Sequence, residues 1–213
     1  MLTRRDPHKQ TDAKFALLGA RNVGKSAIAV RFLTKHFIGE YDSSQDFTYQ
    51  FNTTIEDEQA NLEIIDPGPE SRSEQTFGSR AIWADGLILV YSITDRKSFE
   101  EIQQIYNLID QFKQKTVVII FGNKSDLEHK RQVLEKEAAS FAQKLQCSFY
   151  EGSASEGHMK ISEAFHELYK EVAKRKKERK GSLSPRPLRN ALGKVFRRNS
   201  SKNLPMPPGA LTT

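Results

Sequence analysis

The segment from Gly19 to Ser26 reads G-A-R-N-V-G-K-S, a full match to the phosphate-binding pattern G-x-x-x-x-G-K-[ST]. The apolar run of residues 14–18 before it is typical of a buried parallel strand, and residues 26–33 after it place apolar side chains at helical spacing. At such a turn the backbone N–H groups and the positive helix end surround a phosphate. The segment therefore predicts a phosphate loop, against the alternative of an ordinary glycine turn with an incidental lysine.

Two side chains of this loop are suited to separate roles. Lys25 is predicted to reach the outer phosphates, and the hydroxyl of Ser26 is a predicted magnesium ligand. The expected nucleotide contacts extend over the loop and the residue after it: Gly19, Ala20, Arg21, Asn22, Val23, Gly24, Lys25, Ser26 and Ala27.

Strand and helix patterns alternate along the chain. The almost wholly apolar runs 86–91 and 116–121 are typical of central parallel strands that are covered on both faces. This alternation predicts an α/β fold, doubly wound, with a mostly parallel six-stranded sheet and flanking helices. The other predicted strands are 14–18, 47–54, 60–66 and 148–151, and the predicted helices are 26–33, 73–83, 98–113, 133–145 and 160–177.

A second motif, N-K-x-D, directly follows the apolar run that ends at residue 121. A carboxylate such as that of Asp126 only accepts hydrogen bonds, and guanine offers adjacent N1–H and N2 donors that adenine lacks. Asp126 is therefore predicted to select guanine. We expect Asn123 to fasten this loop to its neighbours and the stem of Lys124 to lie over the purine face.

With these motifs the sequence resembles the Ras superfamily of small GTPases, over about residues 14–174. The resemblance implies the P-loop GTPase fold and a signalling protein that binds GTP, GDP and Mg²⁺ and hydrolyses GTP to GDP and phosphate. Residues 31–35, 83–85 and 147–150 are most similar to a divergent Ras-like branch related to the estrogen-regulated growth inhibitor. The segments that carry the wider resemblance are 19–26, 36–42, Asp66, 97–100, 123–126 and Ser153 with Ala154.

The resemblance implies further contacts to the base. Phe37 would pack edge-on against guanine, and the backbone N–H of Ala154 would reach the base oxygen, with Ser153 and Ser155 beside it. Because Ser155 stands where the family usually has Lys, one contact that flanks the base is expected to be weaker.

The resemblance also implies a magnesium site. Its ligands would be Ser26, Ser44 and, through water, Asp66. Ser44 stands where the family has Thr and keeps the hydroxyl, but it lacks the methyl group that helps to fix the rotamer. Metal binding is therefore expected, with weaker ordering of the loop around Ser44.

Three residues depart from the family pattern where hydrolysis takes place. Pro69 has no N–H to sense the γ-phosphate, and Glu70 replaces the Gln that orients water. Arg21 crowds the water and an incoming arginine, although it could also supply a guanidinium itself, and Gly68 could replace the missing N–H if the loop shifted. We expect weak GTPase activity with Lys25 and Glu70 as candidate catalytic residues. The alternative is a non-cycling Ras-like pseudo-GTPase interaction module.

Two segments are expected to contact unknown effector and regulatory proteins, namely residues 41–49 and 67–82. Within the first, Phe47 is either an exposed anchor for a partner or, as we favour, a strand residue that faces the core. We expect the protein to be a monomer.

Positive charge is concentrated towards the end of the 213-residue chain. The formal net charge is +6, and residues 174–202 hold twelve Lys and Arg against one acid. These residues could bind an anionic membrane surface or a calmodulin-like groove. The alternatives are a solvated disordered tail and a nuclear-import signal, and specific nucleic-acid binding is not expected because no aromatic platform accompanies the charge.

The sequence predicts one domain with a tail at each end. We expect an N-terminal tail over 1–13, a small GTPase domain over 14–178, and a basic, disordered tail over 179–213. No apolar run approaches the length of a membrane span or a signal peptide, and the last four residues are not a Cys-a-a-X signal. We expect an intracellular, cytoplasmic protein without a prenyl anchor, with reversible membrane association or nuclear entry.

Overall fold

The strands of the computed structural model form one sheet. The structure describes residues 12–38, 45–68, 73–111 and 116–182, without the side chains of 180–182. Within these ranges the strands are β1 (Ala13–Leu18), β2 (Phe47–Ile55), β3 (Glu58–Asp66), β4 (Gly86–Ser92), β5 (Val117–Asn123) and β6 (Ser148–Glu151). Their order is β2-β3-β1-β4-β5-β6, and only the β2–β3 pair is antiparallel. The predicted mostly parallel, six-stranded α/β sheet is confirmed.

Helices connect the strands and cover the sheet. They are α1 (Lys25–Thr34), α2 (Glu74–Trp83), α3 (Arg96–Gln111), α4 (Glu135–Lys144) and α5 (Met159–Ser182), and a 3₁₀ segment that the sequence did not predict spans Ser125–Lys130. The buried face of α3 illustrates why the sequence patterns of the helices fold as helices. Its residues Phe99, Ile102, Ile105 and Ile109 follow helical spacing and are all buried.

The two faces of the sheet contribute to two separate cores. Successive side chains of a strand point to opposite faces. Thus Phe15 belongs to a core with residues of α1 and α5, whereas its neighbour Ala16 belongs to a core with residues of α2, α3 and α4. In the first core the rings of Phe32 and Phe165 stack with their centroids 4.0 Å apart. Since β1 and β4 are covered on both faces, their sequences are mostly apolar rather than alternating.

Parallel strands bring the chemically informative loops to one edge of the sheet. Strand β1 ends directly before Gly19, β3 ends at Asp66, β5 ends at Asn123, and β6 ends directly before Gly152. Ligands bind at this edge in doubly wound folds. The loops that the sequence motifs identify therefore surround one region.

The contacts between Cα atoms divide the chain into two units, Met1–Lys177 and Glu178–Thr213. The first unit contains the sheet. Of the second unit, the structure describes only residues 178–182, which are the last residues of α5. In the described part of the chain no helix combines the length and the apolar character needed to cross a membrane.

Candidate functional site

Two positions of the phosphate loop accept only glycine. Gly19 has φ +147°, and a Cβ there would lie 2.0 Å from the carbonyl oxygen of Val90. Gly24 has φ +95°, and a Cβ there would lie 2.3 Å from Nδ2 of Asn123. Gly24 is also the residue before α1 and provides no side-chain cap. The first N–H groups of α1 are therefore suited to an anionic ligand.

The positive charge of Lys25 lies within this loop. Its Nζ donates hydrogen bonds to the carbonyl oxygens of Gly19, at 3.1 Å, and Ala20, at 2.8 Å. Lys25 is in addition close enough to Asp66 to favour the ionised form of that carboxyl group. The ammonium group is thus held between the loop and the end of β3.

Ser26 and Asp66 form the oxygen-rich side of the site. The Ser26 hydroxyl lies near the Asp66 carboxylate. Burial raises the pKa of Asp66, against the lowering effects of the Ser26 hydroxyl and of the charge on Lys25. Oδ1 of Asp66 is buried and has no hydrogen-bond partner.

These two side chains fit a magnesium ion. A carboxylate and a hydroxyl are hard oxygen ligands, and Mg²⁺ usually takes one or two protein ligands together with phosphates and water. In the described ranges no group of three or more His, Cys, Asp or Glu side chains could hold a metal on its own. Ser26 and Asp66 are therefore a partial ligand set that a bound nucleotide would complete.

Asn123 joins the guanine-motif loop to two other loops, as the sequence predicts. Its Nδ2 donates to the carbonyl oxygen of Val23 at 2.8 Å, and its Oδ1 accepts from the N–H of Ala154 at 3.1 Å. A base oxygen would have to share that N–H with Asn123. Lys124 adds a further link because its Nζ donates to the carbonyl oxygen of Asn22 at 2.6 Å.

The side of the cavity formed by the N-K-x-D motif, which would recognise a base, contains a second partnerless carboxylate oxygen. Oδ1 of Asp126 is buried and has no hydrogen-bond partner. Beside it, the Ser153 hydroxyl accepts from the N–H groups of Ser155 at 3.2 Å and Glu156 at 3.3 Å, which fixes the turn after β6. The phosphate loop, the N-K-x-D motif and this turn thus face a common space.

That space is a cavity of about 700 Å³, a size typical of small-molecule sites. Four of the predicted residues that the structure describes do not line it. Gly19, Ala20 and Val23 accept hydrogen bonds from Lys25 or Asn123 through their backbone oxygens, and Asp66 lies near Ser26. The residues that line the cavity are Arg21, Asn22, Gly24, Lys25, Ser26, Ala27, Phe37, Pro67, Asn123, Lys124, Asp126, Leu127, Ser153, Ala154 and Ser155.

The sequence motifs did not identify Pro67 and Leu127 as lining residues. Both directly follow predicted site residues, Asp66 and Asp126, and this adjacency was the only signal in the sequence. Arg31 of α1 was also missed. Its buried guanidinium contacts the turn after β6, over a sequence separation that no local pattern reveals.

Several predicted residues lie outside the described ranges. They are Ser44, Pro69 and Glu70 within the site, residues 41–44 and 69–72 of the expected partner segments, residues 1–11 of the N-terminal tail and residues 183–213 of the basic tail.

The two expected partner segments contact each other where they are described. The N–H of Gly68 donates to Oδ1 of Asp46 at 2.8 Å, and Oδ2 of Asp46 forms an ion pair with Arg80. The Arg80 side chain is only 7% exposed. Phe47 is half-buried and stacks on Tyr49. It lies on the face of β2 whose residues Tyr49 and Phe51 pack against the first core, the side favoured from the sequence.

Comparisons with known proteins agree with this geometry. The model of the Ras family matches residues 14–174. The human protein named Ras-related and estrogen-regulated growth inhibitor is 42% identical over 199 residues, covering 91% of this chain and 99% of that protein. The mouse Ras-like protein family member 11B is 41% identical over 190 residues, covering 82% and 76%. The mouse GTP-binding protein Rit1 is 36% identical over 167 residues, covering 78% and 76%.

Proposed function

The chain belongs to the Ras family, and on that premise we propose that it binds GTP and GDP with Mg²⁺ and hydrolyses GTP slowly. As a Ras-like GTP-binding protein it acts in signalling. One similar protein is named a growth inhibitor and another a GTP-binding protein, which supports this class of function.

The observation that carries the proposal is the pair of partnerless carboxylate oxygens. In the described part of the chain three buried side-chain polar atoms have no hydrogen-bond partner, and two of them are Oδ1 of Asp66 and Oδ1 of Asp126. Such an atom costs about 1–3 kcal/mol when it stays unpaired. Both belong to residues that the sequence assigns to ligands, Asp66 to magnesium and Asp126 to guanine.

Each group of residues would recognise one part of the nucleotide. Asp126 would accept from N1–H and N2 of guanine, and Phe37 would cover the edge of the base. The loop N–H groups and the Lys25 ammonium would bind the phosphates. Ser26 and Asp66 would hold Mg²⁺, which neutralises phosphate charge when it is bound.

Hydrolysis should be slow because few backbone N–H donors are available after β3. Pro67 and Pro69 have no N–H, and the N–H of Gly68 already donates to Asp46. Glu70 could accept a hydrogen bond from the attacking water, but when ionised it has no donor for the phosphate. The γ-phosphate would thus find few of the hydrogen-bond donors that stabilise charge in the transition state.

The Asp46 contacts favour a second candidate function, a non-cycling interaction module. Asp46 joins the start of β2 to Gly68 and to Arg80 of α2 through protein groups. A surface joined in this way does not need a γ-phosphate to hold it together. Under this alternative, nucleotide binding stabilises the domain without switching its partners.

Nucleotide analysis of the purified protein tests the first proposal. Chromatography of the released nucleotide should identify GDP or GTP, and single-turnover hydrolysis of loaded GTP should take hours. If no guanine nucleotide is found and added GDP does not bind, the binding proposal is wrong. If all loaded GTP is lost within minutes without a partner protein, slow hydrolysis is wrong.

Amide hydrogen exchange at Gly68 separates the two candidates. A non-cycling module should protect this N–H equally in the GDP form and in the form loaded with a non-hydrolysable GTP analogue. A switch should change the protection between the two forms. Gly152, whose N–H donates to the carbonyl of Gly122 at 2.9 Å, serves as a protected reference amide.

A further inference from the structure

Arg31 of α1 holds three backbone carbonyls with one buried guanidinium. Nε donates to the oxygen of Ala154 at 2.7 Å, Nη2 to that of Ser155 at 2.6 Å, and Nη1 to that of Lys35 at 3.1 Å. The guanidinium carbon also lies 5.8 Å from the centre of the Phe37 ring, a distance that allows cation–π attraction. One side chain thus joins the turn after β6 to the segment that follows α1.

The guanidinium group is particularly suited to this arrangement. Its planar fork presents several N–H donors in fixed directions, whereas an ammonium is a compact charge on a flexible stem. A buried charge needs compensating partners, and here the described partners are carbonyls rather than a carboxylate. The fixed fork therefore determines where those carbonyls lie.

The contacts of Arg31 converge on the base-recognition side of the cavity. Phe37, Ala154 and Ser155 all line it, and Arg31 itself does not. Arg31 also belongs to α1, the helix that begins at Lys25 of the phosphate loop. It consequently joins the rim of the base site to the element that would bind the phosphates.

We propose that Arg31 is a positioning residue for guanine. It fixes the peptide of Ala154 and Ser155 and the ring of Phe37 relative to the phosphate loop, and it thereby slows nucleotide release. This inference rests on the proposed nucleotide binding.

The test measures release of fluorescently labelled GDP from the full chain. Arg31→Ala should release GDP about 10- to 100-fold faster, as expected for the loss of two hydrogen bonds from a charged donor. Arg31→Lys should fall between this variant and the unaltered chain, since an ammonium can replace only some of the bonds. If Arg31→Ala does not fold, Arg31→Lys carries the test with an expected increase of at least about threefold.

Two further readouts separate positioning of the base from general destabilisation. Removal of Mg²⁺ should accelerate release by the same factor in the variants as in the unaltered chain, because the metal side is untouched. The preference for GDP over inosine diphosphate should also persist, because Asp126 reads the N2 group by which they differ. The matched control is Arg96→Ala, which removes a guanidinium that joins α3 to Glu137 of α4, and its release rate should stay within about twofold.

Three results would overturn the inference. The first is unchanged GDP release from Arg31→Lys and Arg31→Ala. The second is an acceleration of GDP release in Arg96→Ala as large as that in Arg31→Ala. The third is a variant whose GDP release changes only in its response to removal of Mg²⁺. If the unaltered chain binds no guanine nucleotide, the proposed function itself fails and this inference fails with it.

Discussion

The base-recognition side of the cavity and the loop after β3 are built differently. On the first side, Asn123 and Arg31 hydrogen-bond to backbone carbonyls of distant segments, so the shape of the base site is fixed by the protein. In the loop after β3, the N–H of Gly68 is bound to Asp46 and its neighbour Pro67 has none. Under the proposed function, nucleotide recognition and nucleotide hydrolysis would depend on separate sets of hydrogen-bond donors.

The strongest test of the base-recognition side is Asp126→Asn. The carboxamide offers one acceptor and one donor to the two donors of guanine, so GDP should bind about 100- to 1,000-fold more weakly, ~3–4 kcal/mol. Xanthine carries a carbonyl in place of the N2 amine and should bind this variant better than guanine does. Titration calorimetry with GDP and xanthosine diphosphate measures both, and unchanged GDP affinity would exclude Asp126 from base recognition.

Gly24→Ala tests the contact between the phosphate loop and Asn123. The added Cβ would lie 2.3 Å from Nδ2 of Asn123, at a φ of +95° that L residues rarely adopt. We expect the free energy of unfolding to fall by about 3 kcal/mol, measured by urea denaturation. Gly157→Ala is the matched control, because a Cβ there meets nothing within 4 Å. If both variants lose a similar free energy of unfolding, the contact between Gly24 and Asn123 does not explain the loss.

Asp46→Ala tests the link between the partner segments. It removes the carboxylate from the nearly buried Arg80 guanidinium and should lower the free energy of unfolding by about 2 kcal/mol. Glu100→Ala removes a carboxylate from Arg96, whose side chain is 43% exposed, and should change it by less than about 0.5 kcal/mol. Urea denaturation compares the two, and an equal effect would mean that the Asp46 contacts are only a surface ion pair.

The double variant Pro69→Gly with Glu70→Gln tests the hydrolytic side. It restores an N–H and an amide donor, and single-turnover GTP hydrolysis should accelerate about tenfold, ~1.4 kcal/mol. GDP affinity should not change, because the base-recognition side is intact. An unchanged rate would favour the non-cycling alternative, in which the Asp46–Gly68 contact prevents the loop from reaching a phosphate.

Glu128→Gln should have the smallest effect. The hydrogen bonds from Arg131 lower the pKa of Glu128 below its ordinary value of 4.5. A lowered folded pKa stabilises the folded chain above the unfolded value, and this contribution disappears as the pH falls through the folded value. The variant should therefore have a slightly lower urea midpoint at pH 7 and a matching midpoint near pH 3. A difference in urea midpoint between the variant and the unaltered chain that persists at pH 3 would show that the ionised carboxylate of Glu128 is not its cause.

Local sequence patterns predicted most of the fold because strands and helices each have a characteristic spacing of apolar residues. The apolar run before Gly19 and the helical spacing after it correspond to β1 and α1. The 3₁₀ segment at Ser125–Lys130 was not predicted, because no side-chain periodicity marks it; it begins after the left-handed backbone of Lys124, with φ 68°. Phe47 lies on the core side of β2, as favoured, but it is only half-buried.

By itself the sequence determined the identity of the phosphate loop, the N-K-x-D motif and the sheet edge at which they meet. These follow from residue type and spacing, which act over a few residues. The tertiary structure alone decided that Arg31 holds the turn after β6 and that Asp46 occupies the N–H of Gly68. The reason is physical: a hydrogen bond between residues 22 or 123 positions apart depends on how strands and helices pack. The local sequence pattern does not show that packing.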